Sequence, residues 1–168
     1  MRQSNARTMR NWMSEVRPER VRGVDYAARP VPNPYALVAA VRRSQVDRRV
    51  EQIRSRHRTP RVCLYALSGD GESLAASLNS AAAYAEARSW QVSAGRSHSD
   101  LVGQPASSSR PGWRLVKSQV RAGFADGVVV ATAEAISTEF DEYRRELDWF
   151  ASHFAFVAVV TPEAVGLP

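Results

Sequence analysis

The sequence predicts an α/β fold: a mostly parallel sheet of about four strands with helices on both faces, preceded by a basic helical extension. Short apolar, β-prone segments alternate with helical segments from residue 61 onward, an order typical of parallel sheets. One of them, 126–131, has a continuous apolar core, and another, 154–160, is apolar throughout, as expected for strands buried on both faces. An excess of positive charge before residue 59 sets the extension apart.

Basic residues are concentrated in that extension. Residues 1–58 contain 14 of the 23 Lys and Arg residues and five acidic residues, a net charge of +9, whereas residues 59–168 carry a net charge of −3. Such a basic arm indicates contact with a polyanion such as DNA or RNA. A tail that only keeps the chain soluble is the alternative, and the sequence leaves both open.

The extension is predicted to have two parts. Residues 1–34 form a basic, poorly structured arm that ends in a proline-rich linker, since alternating prolines disfavour both helix and sheet. Residues 35–58 form a basic amphipathic helix, which either packs on a partner and shows its arginines to solvent or phosphate, or docks on its own domain. The arginines predicted to bind DNA are Arg42, Arg43, Arg48, Arg49, Arg54, Arg56 and Arg58.

Residues 59–168 are predicted to form the α/β domain. A polar turn follows the first strand, and a Ser- and Gly-rich loop over 95–109 follows the second. Pro111 stands near the start of the second helix, where proline is tolerated. The predicted strands are 61–67, 90–94, 126–131 and 154–160, and the predicted helices are 72–88, 110–122 and 138–153.

Several classes of function are disfavoured. No apolar run approaches the ~20 residues that span a bilayer, and the Arg-rich N-terminus lacks a signal sequence. The single cysteine, Cys63, is expected to be a buried small hydrophobe in a cytoplasmic protein. His57, His98 and His153 have no metal-site or triad spacing, and no P-loop or dinucleotide motif is present, so neither metal nor cofactor is predicted.

Chemistry in parallel sheets occurs at the carboxyl ends of strands, which here are residues 68–70, the loop after Ala94 and residues 132–137. Ser68 stands where a nucleophile would stand, and it would need a base or a cation to activate it. Serine at a strand end is more often a turn former or helix cap. The residues alone leave both roles open.

Three motifs occur in a recognisable order: YALSGDGESL over residues 65–74, RPGW over 110–113, and DGVVVATAEAIST over 126–138. Over about 105 residues they resemble the catalytic domain of serine recombinases, the resolvase and invertase class. That family carries Y-x-R-x-S-T-x-x-Q-S-L, R-P-G-[LFW] and V-V-V-x-K-L-D-R-L-x-R at the corresponding places. The resemblance implies a resolvase-like fold in which a serine attacks a DNA phosphodiester and forms a phosphoserine link.

The resemblance also implies candidate catalytic residues. Ser68 would be the nucleophile, Arg110 a phosphate-binding arginine, and Glu134 the carboxylate of the family's D-R pair. The arginine before the serine is missing, and a gap placed after the serine would put Gly69 at the nucleophile position. The later family arginines are replaced by Ala135 and Thr138. Because one lost transition-state donor costs ~10²–10³ in rate, strand cleavage is expected to be impaired.

Three interpretations follow. The first is a serine-recombinase-like domain with a degenerate active site that binds DNA, a protein partner or another copy of itself. The second is an active, divergent serine recombinase that cleaves and rejoins DNA through a phosphoserine link. The third is an interaction domain that shares only the doubly wound fold. No membrane partner is expected.

Overall fold

The structure, a computed structural model, describes residues 33–103 and 106–163. The predicted arm over residues 1–34 lies almost entirely outside them. In the described part a long helix precedes four strands that alternate with helices. The strands are β1 (Arg61–Ser68), β2 (Gln91–Leu101), β3 (Gly127–Val130) and β4 (Phe156–Val159), and the helices are α1 (Pro34–Arg54), α2 (Gly71–Ala87), α3 (Pro111–Arg121) and α4 (Phe140–Ser152).

The four strands form one parallel sheet in the order β2-β1-β3-β4. Parallel neighbours cannot be joined by a tight turn, and each successive pair is connected here through a helix. The predicted α/β fold with a parallel sheet of four strands is therefore confirmed. All carboxyl ends of the strands lie at one edge of the sheet.

Both faces of the sheet are covered, which explains why its strands are apolar throughout. Alternate residues of β1 point to opposite faces: Cys63 and Tyr65 contribute to one core, and Val62 and Leu64 to the other. The first core contains side chains of α3 and α4, and the second contains side chains of α1 and α2. The sheet is thus the middle of three layers, as predicted.

Helix α1 is part of this α/β unit rather than a separate basic element. Its side chains Val46, Val50 and Ile53 are buried in the same core as β1, β3 and β4. Asn33 caps its first turn by accepting a hydrogen bond from the Tyr35 amide at 2.9 Å. Of the two interpretations of this helix, docking on its own domain is the one that the structure shows.

Strand β2 differs from its prediction. Residues 95–109 were predicted as a loop, yet β2 continues to Leu101. After a shift of register, its residues from Ser97 onward pair with β1 from Leu64 to Ser68. Backbone hydrogen bonding to a partner strand does not depend on side-chain hydrophobicity, so a polar, Ser-rich segment can extend the sheet. This extension carries Asp100 into the candidate site.

Candidate functional site

The order of the strands reverses beside β1, since β2 lies on one side of it and β3 and β4 on the other. Ligand crevices of parallel sheets form at the carboxyl ends of strands at such a point. Ser68 is the last residue of β1, and the segment 131–137 follows the neighbouring β3. The structure therefore places Ser68 at the end of β1 and Glu134 in the segment after β3, both at this edge.

Ser68 lies half-buried in a turn that is built as a helix cap. Its hydroxyl oxygen accepts a 3.4 Å hydrogen bond from the Asp70 amide, and its carbonyl accepts one from Val102 at 3.0 Å. Asp70 caps α2 by accepting from the Ser73 amide at 2.7 Å, and this bond holds the pKa of Asp70 below its usual range. The Ser68 hydroxyl oxygen is the acceptor in its bond with the Asp70 amide. This bond therefore does not provide a base that would remove the hydroxyl proton.

Asp100 joins three elements beside this turn. Its carboxylate accepts hydrogen bonds from the Gly112 amide at 2.8 Å, the Trp113 amide at 3.0 Å and the Tyr65 hydroxyl at 2.9 Å. A carboxylate at a helix N-terminus accepts hydrogen bonds from the free backbone N–H groups and interacts favourably with the positive end of the helix dipole. Asp100 thus fixes the start of α3 against β1 and β2. The sequence analysis did not identify Asp100, because the Ser- and Gly-rich segment around it was predicted to be a loop.

Gly112 has a steric role in the RPGW motif. A Cβ atom added there would lie 2.7 Å from the carbonyl oxygen of Ser99 and 2.8 Å from Asp100 Oδ2. Only glycine lets α3 approach β2 closely enough for its amides to reach the Asp100 carboxylate. The motif that carried the family resemblance therefore encodes a close helix–strand contact.

Arg110, the predicted phosphate-binding arginine, is 4% exposed. Its Nη1 donates to the carbonyls of Ala135 and Ile136 at 2.9 and 2.8 Å. Burial raises the pKa of Tyr65, and a hydrogen bond with Arg110 opposes that rise. Arg110 therefore braces the segment after β3 against β1 and α3. Both hydrogens of its Nη1 are thus directed at backbone carbonyls of the protein itself.

Glu134 has the opposite environment. It is exposed on the short 3-10 turn Ala133–Ala135, while Ala133 and Ile136 on either side of it are buried. Within residues 33–103 and 106–163 its carboxylate has no hydrogen bond or ion pair. The three predicted catalytic residues thus lie at one edge of the sheet but in three different settings: a capped turn, a buried brace and an exposed turn.

A polar network holds together α3, α4, the loop before α3 and the segment after β3. Glu142 accepts hydrogen bonds from the Ser107 amide at 2.8 Å and from the Ser137 hydroxyl at 2.5 Å. Burial raises the pKa of Glu142, but these bonds more than offset it and the net shift is downward. Glu146 accepts from the Trp113 indole at 3.0 Å and pairs with Lys117 at 2.7 Å. This network connects α3, α4 and both loops, and it is structural.

Arg42 is corrected by the structure. It was predicted to face solvent and DNA, yet it is 3% exposed. Its guanidinium binds both carboxylate oxygens of Glu163 at 2.7 and 2.8 Å, and Tyr143 donates to the same carboxylate at 2.6 Å. A buried bidentate pair of this kind ties α1 to α4 and to the segment after β4. Arg42 therefore belongs to the protein interior.

The other six predicted arginines lie where a ligand could reach them. Arg49 is half-buried, and its Nη1 donates to Gln52 at 3.4 Å. Arg58 also contacts Asp126, at 3.4 Å. The exposed members are Arg43, Arg48, Arg54, Arg56 and Arg58. Arg43, Arg48 and Arg54 belong to α1, and Arg56 and Arg58 belong to the segment that follows it.

The described residues contain no cluster of His, Cys, Asp and Glu that could hold a metal ion. Cys63 is fully buried in β1 as predicted, and burial raises its pKa to about 11, so its thiol stays protonated at neutral pH. Burial also lowers the pKa of His98. In the part of the chain that the structure describes, no helix combines the length and apolarity needed to cross a bilayer.

The fold is that of serine recombinase catalytic domains. No family model matches the sequence, and no curated protein matches it. The structure is similar to the C-terminal catalytic domain of ISC1926 TnpA, an IS607-like serine recombinase, with a TM-score of 0.53 and 19% identity over 62% of this chain and 71% of that one. It is also similar to the N-terminal catalytic domain of TP901-1 integrase, with a TM-score of 0.53 and 21% identity over 60% of this chain and 76% of that one. The expected resolvase-like fold is confirmed.

Proposed function

We propose that this chain is a DNA-binding domain built on the serine recombinase fold, in which strand cleavage by the family's usual route is impaired. The observation that carries the proposal is the group of exposed arginines on α1 and the segment that follows it. The helix is packed on the sheet by its apolar side and held by Arg42, so the exposed arginines are carried on an element that is fastened to the domain.

Such a surface suits a phosphate backbone. Guanidinium groups form charge-assisted hydrogen bonds with phosphate oxygens, and each phosphate that is neutralised releases counterions. Only Asp47 and Glu51 add negative charge to α1. Since these arginines are spread over the helix and the segment after it rather than gathered in one enclosed pocket, they match an extended polyanion better than a small one.

The impairment of strand cleavage is inferred from the residues around Ser68. The nucleophile's family arginine is absent, and Ala135 and Thr138 replace two others. The remaining candidate, Arg110, is engaged with backbone carbonyls. A phosphoryl transition state needs positive donors directed at the oxygens where charge develops. The arrangement around Ser68 supplies a helix cap instead.

The test is binding of the full chain to a fluorescent duplex across a salt series. Arg48→Gln/Arg56→Gln removes two charges, one from α1 and one from the turn that follows it, and Arg144→Gln/Arg145→Gln removes two exposed charges from α4 as the matched control. We expect the α1 variant to reduce the slope of log K against log salt by about 1–2, because each lost phosphate contact is worth about 0.9. The α4 variant should behave as the wild type. Equal effects of both variants would mean that net charge alone drives binding, and no binding by the wild type would favour a protein partner.

An active, divergent recombinase is the second candidate, since Ser68 lies half-buried at the carboxyl end of β1 rather than deep in the core. A phosphoserine link would be detected as a covalent protein–DNA adduct that survives denaturation and disappears in Ser68→Ala. The proposed function predicts no adduct and unchanged DNA binding by Ser68→Ala. An adduct that depends on Ser68 would replace the first candidate by the second.

A further inference from the structure

A groove of about 550 Å³ runs between α1 and the C-terminal end of α2. Its polar lining is mostly basic: Arg43 and Arg54 come from α1, and Arg88 is the residue that caps α2. Tyr84 and Trp90 form its aromatic wall. The groove lies in the layer of α1 and α2, so it is separate from the contacts of Arg110 beneath the crevice.

Two of the basic side chains of the groove are held in place by contacts within the protein. Arg54 Nη2 donates to the carbonyl oxygen of Arg88 at 2.9 Å, which connects the ends of the two helices. The Arg88 guanidinium lies 3.4 Å from the centre of the Tyr84 ring and is oriented by this cation–π contact. Preorganised guanidinium groups lose less conformational entropy when they bind an anion.

The groove also has a polar group without a partner. Trp90 is 7% exposed, and its indole N–H is buried with no hydrogen-bond acceptor within the described chain. A buried donor left unsatisfied costs about 1–3 kcal/mol. A ligand acceptor that contacted this N–H would remove that cost.

The charge balance favours an anion. Asp47 is the one acidic side chain in the described lining, and the Arg42 charge beside it is neutralised by Glu163. Arg43, Arg54 and Arg88 have no acidic partner among the described residues. The groove therefore carries an excess of positive charge beside a partly apolar wall.

We infer that this groove binds a phosphodiester of the DNA backbone, with Arg43, Arg54 and Arg88 as its donors. The inference rests on the proposed function and extends it from α1 to the end of α2. It adds Arg88, which the charge pattern of the extension did not indicate. Because Arg88 covers the Tyr84 ring, base stacking on Tyr84 is blocked and the groove binds phosphate without reading the sequence.

Loss of charge tests the inference first. In the full chain, Arg88→Gln should weaken duplex binding about 5–10-fold at moderate salt and lower the salt slope by about 1, as expected for one lost phosphate contact. Arg145→Gln, an exposed arginine of α4, is the matched control and should leave both quantities unchanged.

Gain of affinity gives a test that misfolding cannot imitate. Asp47→Asn removes the acidic side chain from the groove, and we expect it to strengthen duplex binding about threefold at low salt, with a smaller gain as salt screens the charge. Glu51→Gln removes an equally exposed acid one helical turn away, outside the groove, and should have a clearly smaller effect.

The outcomes separate the two proposals. If the wild type binds DNA but Arg88→Gln equals Arg145→Gln and Asp47→Asn equals Glu51→Gln, the groove inference is wrong while the proposed function stands. If the wild type does not bind duplex DNA, both fail. If inorganic pyrophosphate binds in the groove while DNA binding is indifferent to Arg88, the site takes a small anion and the assignment to the DNA backbone is overturned.

Discussion

At the scale of single residues, the start of α3 depends on the absence of a side chain at Gly112. The backbone of β2 and the Asp100 carboxylate fill the space that a Cβ would need, at 2.7 and 2.8 Å. We expect Gly112→Ala to lower the free energy of unfolding by about 1–3 kcal/mol, since α3 must move away from β2. Urea denaturation of the purified chain measures this change.

The matched control for that prediction is Gly71→Ala. Gly71 also begins a helix, has no positive φ, and has no atom within 4 Å of an added Cβ. Alanine there should be neutral or stabilising by about 0.5–1 kcal/mol, because it restricts the unfolded chain. An equal loss of stability in both variants would mean that the Gly112 contact is not a steric constraint.

At the scale of elements, α1 is fastened by the pair of Arg42 and Glu163. Burial raises the pKa of Glu163, but the hydrogen bonds from Arg42 and Tyr143 outweigh it and the net shift is downward. A carboxyl group with a lowered pKa stabilises the fold above its unfolded pKa, and the contribution is lost as the pH falls through the folded value.

Glu163→Gln should therefore destabilise the chain by about 3 kcal/mol at pH 7, as for other broken buried pairs. The difference from the wild type should shrink below about pH 5, where the carboxyl group begins to take up a proton in the unfolded chain. Thermal unfolding at a series of pH values measures it, with the exposed Glu134→Gln as control. A difference that does not change with pH would show that Glu163 is not ionised in the folded protein.

The elements also show what sequence patterns can and cannot predict. The apolar run at 126–131 identified β3, because a strand buried on both faces must be apolar throughout. The second half of β2 escaped prediction, since its order comes from pairing with β1 and not from its own side chains. A local sequence pattern indicates whether a segment is buried. It does not indicate which distant segment that segment pairs with.

The same limit applies to the candidate site. Ser68, Arg110 and Glu134 were found through motifs, and the topology does place them at one edge of the sheet. Arg42 was assigned to the wrong side of α1, because its partner Glu163 is distant in sequence and seven arginines in one segment appear equivalent. Asp100 was missed because its segment was predicted to be a loop, and because the partners of its carboxylate lie on other elements. An ion pair or a cap across elements leaves no periodic signal.

At the scale of the whole molecule, the basic helix and the sheet share one core. Ile53 is 1% exposed and lies in the same cluster as Val129 of β3. An isolated helix of 21 residues would be marginal in water. The helix is therefore expected to unfold only when the sheet unfolds.

Hydrogen exchange tests this coupling. Amides within α1, such as those of Val50 and Ile53, should be protected to the same free energy as those of β3, because one global opening exposes both. Ile53→Ala should lower the protection of α1 and β3 together by about 2–5 kcal/mol, the usual cost of emptying a core position. Leu37→Ala, at a site that is 56% exposed, should change neither by more than about 0.5 kcal/mol. Fast exchange in α1 beside a protected sheet would instead mean that the exposed arginines are carried by a helix that detaches from the sheet. The proposal of a fixed phosphate-binding surface would then have to be abandoned.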